Sequence, residues 1–88
     1  MKNKQRRRRA NTSELMKKIE DQQYRCALSG IELTPESAVL DHIVPVSEGG
    51  TNTIENLQWV HEEINRMKGT MNNTQFLAAV HKIARWTR

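Results

Sequence analysis

The apolar and polar positions divide the chain into a polar head and a short series of distinct elements. Residues 1–10 have no apolar periodicity and read as a disordered arm. Asn11 with Glu14 three places on forms a capping pair, and Leu15 and Ile19 give an i, i+4 stripe, so a short helix is predicted over residues 12–22. Tyr24-Arg25-Cys26-Ala27 and Ile31-Glu32-Leu33 flank Leu28-Ser29-Gly30, which predicts a tight hairpin or knuckle turning at Gly30. After the loop Thr34-Pro35-Glu36-Ser37, residues 38–43 are β-branched and aliphatic and predict a strand that ends in Asp41-His42. Pro45 keeps Val44 extended, and residues 47–52 are turn formers throughout. Leu57-Gln58-Trp59-Val60 alternates as a second strand. A helix then runs from near His61 to Gly69, with Val60, Ile64, Met67 and Met71 as its buried stripe and Asn65 at the stripe's edge. Asn72 or Asn73 caps a last helix that carries Phe76, Val80 and Ile83 on one face, with Leu77 and Ala84 beside them.

Composition narrows the picture. A chain of 88 residues, 36% hydrophobic and 5% aromatic, predicts one domain with a thin core. The organisation expected is a basic arm over residues 1–11 and a single domain over 12–88, with its core at about 24–69. Cys26 is the one cysteine, so no internal disulfide forms and a reducing interior is the expected setting. No apolar run approaches bilayer length, and no apolar segment follows the N-terminal charges, so a soluble, non-exported protein is expected.

Charge changes the picture more. The formal net charge is +4, but residues 1–25 alone hold Lys2, Lys4, Arg6, Arg7, Arg8, Arg9, Lys17, Lys18 and Arg25 against Glu14, Glu20 and Asp21. The rest of the chain is mildly acidic. Such an arm is a common footprint of nucleic-acid binding, since each neutralised phosphate releases a counterion. On charge alone, a solubilising tail accounts for it equally well.

Candidate chemistry sits at Asp41-His42, Asn56 and Asn65-Arg66-Met67-Lys68-Gly69. These residues supply a general base, oxygen ligands for a hard cation and a basic pair for phosphate, most of what metal-assisted phosphodiester hydrolysis needs. Singly, each has an ordinary reading: Asp41 as a loop cap, His42 on the surface, Asn56 in a turn, Asn65 solvated on a helix. Their joint occurrence carries the argument.

Strand, loop, strand and helix, with Asp-His on the first strand and Asn on the helix, resembles the ββα-metal (His-Me finger) core of HNH nucleases. The resemblance rests on Asp41-His42-Ile43-Val44-Pro45, Gly49-Gly50-Thr51-Asn52, Ile54-Glu55-Asn56-Leu57-Gln58 and Asn65-Arg66-Met67-Lys68-Gly69, and covers about residues 24–69. It implies a small α+β fold and a metal-dependent endonuclease acting on DNA, expected to be double-stranded. His42 would activate water, leaving a 5′-phosphate and a 3′-hydroxyl. Asp41 and Asn65 would hold one divalent ion, Mg²⁺ or Mn²⁺. Asn56 would hold the loop and the histidine in place. Arg66 and Lys68 would contact phosphate or steady the leaving group, while Arg6, Arg7, Arg8, Arg9, Lys17 and Lys18 would track the backbone.

Many HNH proteins frame this core with two Cys-x-x-Cys zinc knuckles. Here those positions read Cys26, Ser29, His61 and Ile64, so no structural zinc is expected. Cys26 is then a small buried hydrophobe, His61 a helix-start residue and Ile64 part of the core. Trp59, Trp86, Phe76 and Tyr24 are expected to rebuild what zinc would have held. The small size implies low specificity, or targeting through a homodimer or a phage packaging partner, in the cytoplasm of a bacterium carrying a phage or prophage. The alternatives are a non-catalytic DNA-binding or accessory module on an HNH scaffold, and a secreted toxin nuclease domain.

Overall fold

The computed structural model describes residues 8–87. Arg6 and Arg7 of the predicted DNA-tracking arm lie outside the described residues. The fold is α+β, with three helices and one two-stranded antiparallel sheet. In chain order come α1 (Thr12–Asp21), β1 (Ala38–His42), β2 (Leu57–His61), α2 (Glu62–Lys68) and α3 (Asn73–Thr87). Single 3₁₀ turns at Val46–Glu48 and Ile54–Asn56 shape the loop between the strands. No helix among the described residues is long and apolar enough to cross a membrane.

Local chemistry explains most of the boundaries. The Asn11 side chain accepts from the Glu14 N–H at 2.8 Å, and Glu14 Oε1 accepts from the Asn11 N–H at 3.0 Å, a reciprocal capping box that starts α1. The Arg8 guanidinium, 2.7 Å from Glu14, bonds that carboxyl and holds it below the usual carboxylate range. Gln22, just past α1, stitches the helix to the sheet. Its side chain accepts from Trp59 N–H at 3.0 Å and donates to the Trp59 carbonyl at 2.9 Å, completing the open edge of β2 as a strand would. The segment after α1 is a knuckle: an isolated Arg25–Glu32 bridge, with Gly30 at φ 77° making the turn. The expected hairpin is present in this reduced form.

The core is small. Cys26, Leu33 and Val60 form its centre, with Ile19, Leu28, Ala38, Val39, Trp59 and Ile64 packed against them. The expected α2 stripe is only partly realised. Ile64 faces the core, but Met67 is 59% exposed and Lys68 is buried in its place. The reason is phase: Val60 and His61 belong to β2, so the helical count starts at Glu62 and turns Ile64 and Lys68 inward as an i, i+4 pair. Trp86, expected in the core, is 89% exposed, and Tyr24 is exposed as well. Trp59 and Phe76 carry the aromatic packing instead.

The interstrand loop is tightly drawn. Gly49 closes the first 3₁₀ turn at φ 92°, and the Gly50 N–H donates to the Pro45 carbonyl at 2.9 Å. A Cβ on Gly50 would overlap the Val44 carbonyl, so only glycine fits there. Gly50→Ala is therefore expected to destabilise the fold by about 1–3 kcal/mol, read as a lower urea midpoint. An unchanged midpoint would show that the loop is looser than this geometry.

Candidate active site

β1 pairs with β2 so that Asp41 lies opposite Gln58 and His42 opposite Leu57. Side chains alternate along a strand, and Asp41 turns inward, where it is buried. It does not stand alone there. Lys68, 1% exposed, donates from Nζ to Asp41 Oδ2 at 2.6 Å and to the His42 carbonyl at 2.6 Å. Gln58 Nε2 donates to the same Oδ2 at 2.9 Å and to Asn73 Oδ1 at 3.0 Å. One buried network thus joins the ends of β1 and α2, the middle of β2 and the first residue of α3.

Lys68 therefore needs correction. A phosphate contact was expected of it, but a lysine whose ammonium is enclosed by Asp41 and a backbone carbonyl cannot reach DNA. Its burial is affordable only because that charge is paired and hydrogen-bonded.

Asp41, His42, Ser47, Asn65, Gly69 and Thr70 line a cleft of about 370 Å³. The fold thus brings three of the candidate residues, from β1 and α2, to one place. Both side-chain bonds to Asp41 fall on Oδ2, and among the described residues Oδ1 makes none. The Asn65 side chain likewise makes no hydrogen bond among the described residues, although its carbonyl accepts the Gly69 N–H at the end of α2.

The His42 ring is held from the loop. Its Nε2 lies 2.7 Å from Asn52 Oδ1. An amide oxygen only accepts, so Nε2 donates this bond. Asn56, the expected anchor, bonds the loop rather than the ring. It accepts from Val44 N–H at 2.9 Å and donates to the Val44 and Thr51 carbonyls at 3.0 and 2.8 Å. Its own carbonyl accepts the Ile43 N–H, directly after the histidine. Asn52 does not stand out in the sequence, where one turn-forming asparagine looks like another. Gln58 was more legible, since pairing the two predicted strands sets it near Asp41.

Three of the four knuckle positions serve packing and helix capping. Cys26 is buried, Ile64 packs on the core, and His61 Nδ1 accepts the Glu63 N–H at 3.1 Å, starting α2. Burial pushes the Cys26 thiol up, but bonds from the Ser29 hydroxyl and from the N–H groups of His61, Leu28 and Ser29 outweigh it and hold the thiol below its ordinary range. Among the remaining basic candidates, Arg9 and Arg66 are exposed and Lys18 is half-buried. Arg8 pairs with Glu14 and Lys17 with Asp21, both at the surface. The Ala10 N–H donates to the Asn52 carbonyl at 3.0 Å, so the end of the basic segment is fixed to the residue that holds His42.

Removing one partner of a buried ion pair strands the other. Lys68→Met is expected to cost about 3–5 kcal/mol of stability, measured by chemical denaturation. A loss comparable to that of an exposed lysine would contradict the buried pairing.

No curated protein matches the chain. A family model does: that of the HNH endonuclease, over residues 24–70. The matched stretch is more than half of the chain and contains the knuckle, both strands, the clamped loop and α2. With the α+β core and the Asp41–His42–Asn65 cleft, that match makes the chain a member of the HNH endonuclease family.

Proposed function

We propose that this protein is a metal-dependent endonuclease that hydrolyses DNA phosphodiester bonds at the Asp41–His42–Asn65 cleft. The observation that carries the reading is the convergence of these three side chains on one cleft, with the His42 ring held through Nε2 by Asn52. Family membership supports nuclease chemistry and DNA as the substrate class.

The donor set fits a hard divalent cation. Asp41 Oδ1 and the Asn65 amide oxygen are both oxygen donors on the cleft, and neither is engaged among the described residues. Among those residues no three of His, Cys, Asp or Glu gather as a metal-binding group. Two protein oxygens completed by water and phosphate suit Mg²⁺ or Mn²⁺. Bound there, the cation would neutralise charge on the phosphate and stabilise the leaving oxygen.

The chain's own residues supply the rest. Histidine exchanges protons near neutral pH, and His42 Nδ1 takes a proton from the water that attacks phosphorus. The P–O3′ bond breaks, O3′ leaves and acquires a proton from solvent, and the products are a 5′-phosphate and a 3′-hydroxyl. Asn52 holds the ring in the tautomer this requires. Asn56 clamps the loop, and through Ile43 the backbone beside the base. Lys68 and Gln58 fix Asp41 so that Oδ1 serves the cleft. Arg9, Lys18 and Arg66 offer charge to the phosphate backbone. Arg8 and Lys17 join them at small cost, because exposed ion pairs are worth little and give way to phosphate.

Supercoiled plasmid incubated with the protein and Mg²⁺ or Mn²⁺ tests this reading. Wild type is expected to nick or linearise it, with activity abolished by chelator and lowered about 10²–10⁴-fold in His42→Ala at unchanged thermal stability. Absence of cleavage across a metal panel, or equal cleavage by both proteins, would refute it. A gentler variant probes the ring contact. Asn52→Leu removes one hydrogen bond of about 1 kcal/mol, so kcat should fall roughly fivefold while KM holds. A change in KM alone would place Asn52 in substrate binding instead.

A further inference from the structure

The family match ends at residue 70, and α3 follows it. The root of that helix is nonetheless built into the site. Asn73, its first residue, bonds the site through both backbone and side chain. Its N–H donates to the Ile43 carbonyl at 3.1 Å, directly after the histidine. Its Oδ1 accepts from Gln58 Nε2 at 3.0 Å, and its Nδ2 donates to Gln58 Oε1 at 3.3 Å. Phe76, one turn on, is buried, and Asn72 accepts the Gln75 N–H at 2.8 Å, so this end of α3 is firmly seated.

The two amides pair reciprocally, and the pairing sets the direction of Gln58. A glutamine amide is nearly symmetrical in shape but not in charge: Nε2 donates two hydrogens and Oε1 only accepts. At Gln58, 6% exposed, these groups must find partners inside the protein. Nε2 donates to Asp41 Oδ2 at 2.9 Å and to Asn73 Oδ1, while Oε1 accepts from Asn73 Nδ2. The reverse orientation would set Oε1 against the Asp41 carboxylate, oxygen against oxygen.

We infer that Asn73 is a positioning residue for the metal ligand: it holds the Gln58 amide with Nε2 on Asp41 Oδ2, which leaves Oδ1 for the cation. The inference rests on the reading of Asp41 and Asn65 as the cation's oxygen donors. Lys68 cannot do this alone. An ammonium is a compact charge with rotatable donors and attracts either carboxylate oxygen. A second, directional donor fixes the plane of the carboxylate, and Gln58 provides it only while its own far side is held. Without the Asn73 amide, a buried Nε2 hydrogen and Oε1 lose their partners, and Gln58 relieves that cost by turning away. The carboxylate then keeps one constraint of two. The functional unit thus extends past the family-matched residues into α3.

Asn73→Ala removes the amide but keeps the backbone bond to Ile43 and suits a helix. Two measurements on the full chain test the role. In the metal-free protein, NMR should find the Gln58 side-chain amide protons protected from exchange, and about fivefold less so in Asn73→Ala, the value of one hydrogen bond. Mn²⁺ affinity, read from the EPR signal of the free ion, should fall about fivefold in Asn73→Ala and about 10–100-fold in Gln58→Leu. Adding Asn73→Ala to Gln58→Leu should change the Kd no further, because Asn73 acts through Gln58. A helix anchor with no positioning role would lower stability alike in both backgrounds and leave the Mn²⁺ Kd alone. Unprotected Gln58 protons in wild type, an unchanged Kd in Asn73→Ala, or the same loss with and without Gln58 overturns the inference while the cation reading stands. A wild type that binds no Mn²⁺, or binds it equally well in Asn65→Ala, overturns the cation reading and this inference with it.

Discussion

The contact between Lys68 Nζ and Asp41 Oδ2, buried at the junction of β1 and α2, is the constraint on which the site depends. Its contribution is geometric more than energetic. A buried ion pair recovers little more than its own desolvation cost, and well-packed apolar side chains would stabilise the fold as well. What apolar residues could not do is orient a carboxylate. Lys68 and Gln58 together occupy Oδ2, and Lys68 also holds the carbonyl of His42. The Asp41 carboxylate and the His42 backbone are thereby fixed by one ammonium group, at the cost of a charge inside a very small core. Asn73 extends the same network to the start of α3, so the helix that leaves the body is tied at its root to the cleft.

A second constraint acts from the opposite side. The loop between the strands is closed by Asn56 and by the glycine pair, and it presents Asn52 to His42. The two asparagines divide the work: Asn56 fixes backbone and Asn52 fixes the ring. The N-terminal segment joins the same loop through Ala10. The end of the basic segment is thereby anchored beside the residue that holds His42. The knuckle positions are held by Cys26 in the core and by Ile64 packed against it.

The elements with a local cause were legible in the sequence. Asn11 and Glu14 announce α1, and Asn72 caps α3, accepting from the Gln75 N–H at 2.8 Å. Asp41-His42 ends β1, and Asn65 lies on α2 at the same cleft. What could not be read depends on contacts between distant residues. Lys68 reads as a surface cation because nothing nearby in sequence shows the carboxylate that draws it inward. Met67 reads as core until the strand–helix junction resets the helical phase. Trp86 and Ile83 read as core because their hydrophobicity is plain, while their exposure among the described residues appears only in three dimensions. Asn52 is one polar residue in a polar loop, and only its 2.7 Å approach to His42 sets it apart.

The claim that Asp41 and Asn65 hold the catalytic cation is open to direct observation. Mn²⁺ titrated into isotope-labelled protein broadens the amide resonances nearest the bound ion. Loss of the Asp41, His42 and Asn65 signals ahead of all others, and its disappearance in Asn65→Ala, is the expected result. Broadening centred on the exposed acidic residues of α2, or spread evenly over the protein, would contradict it.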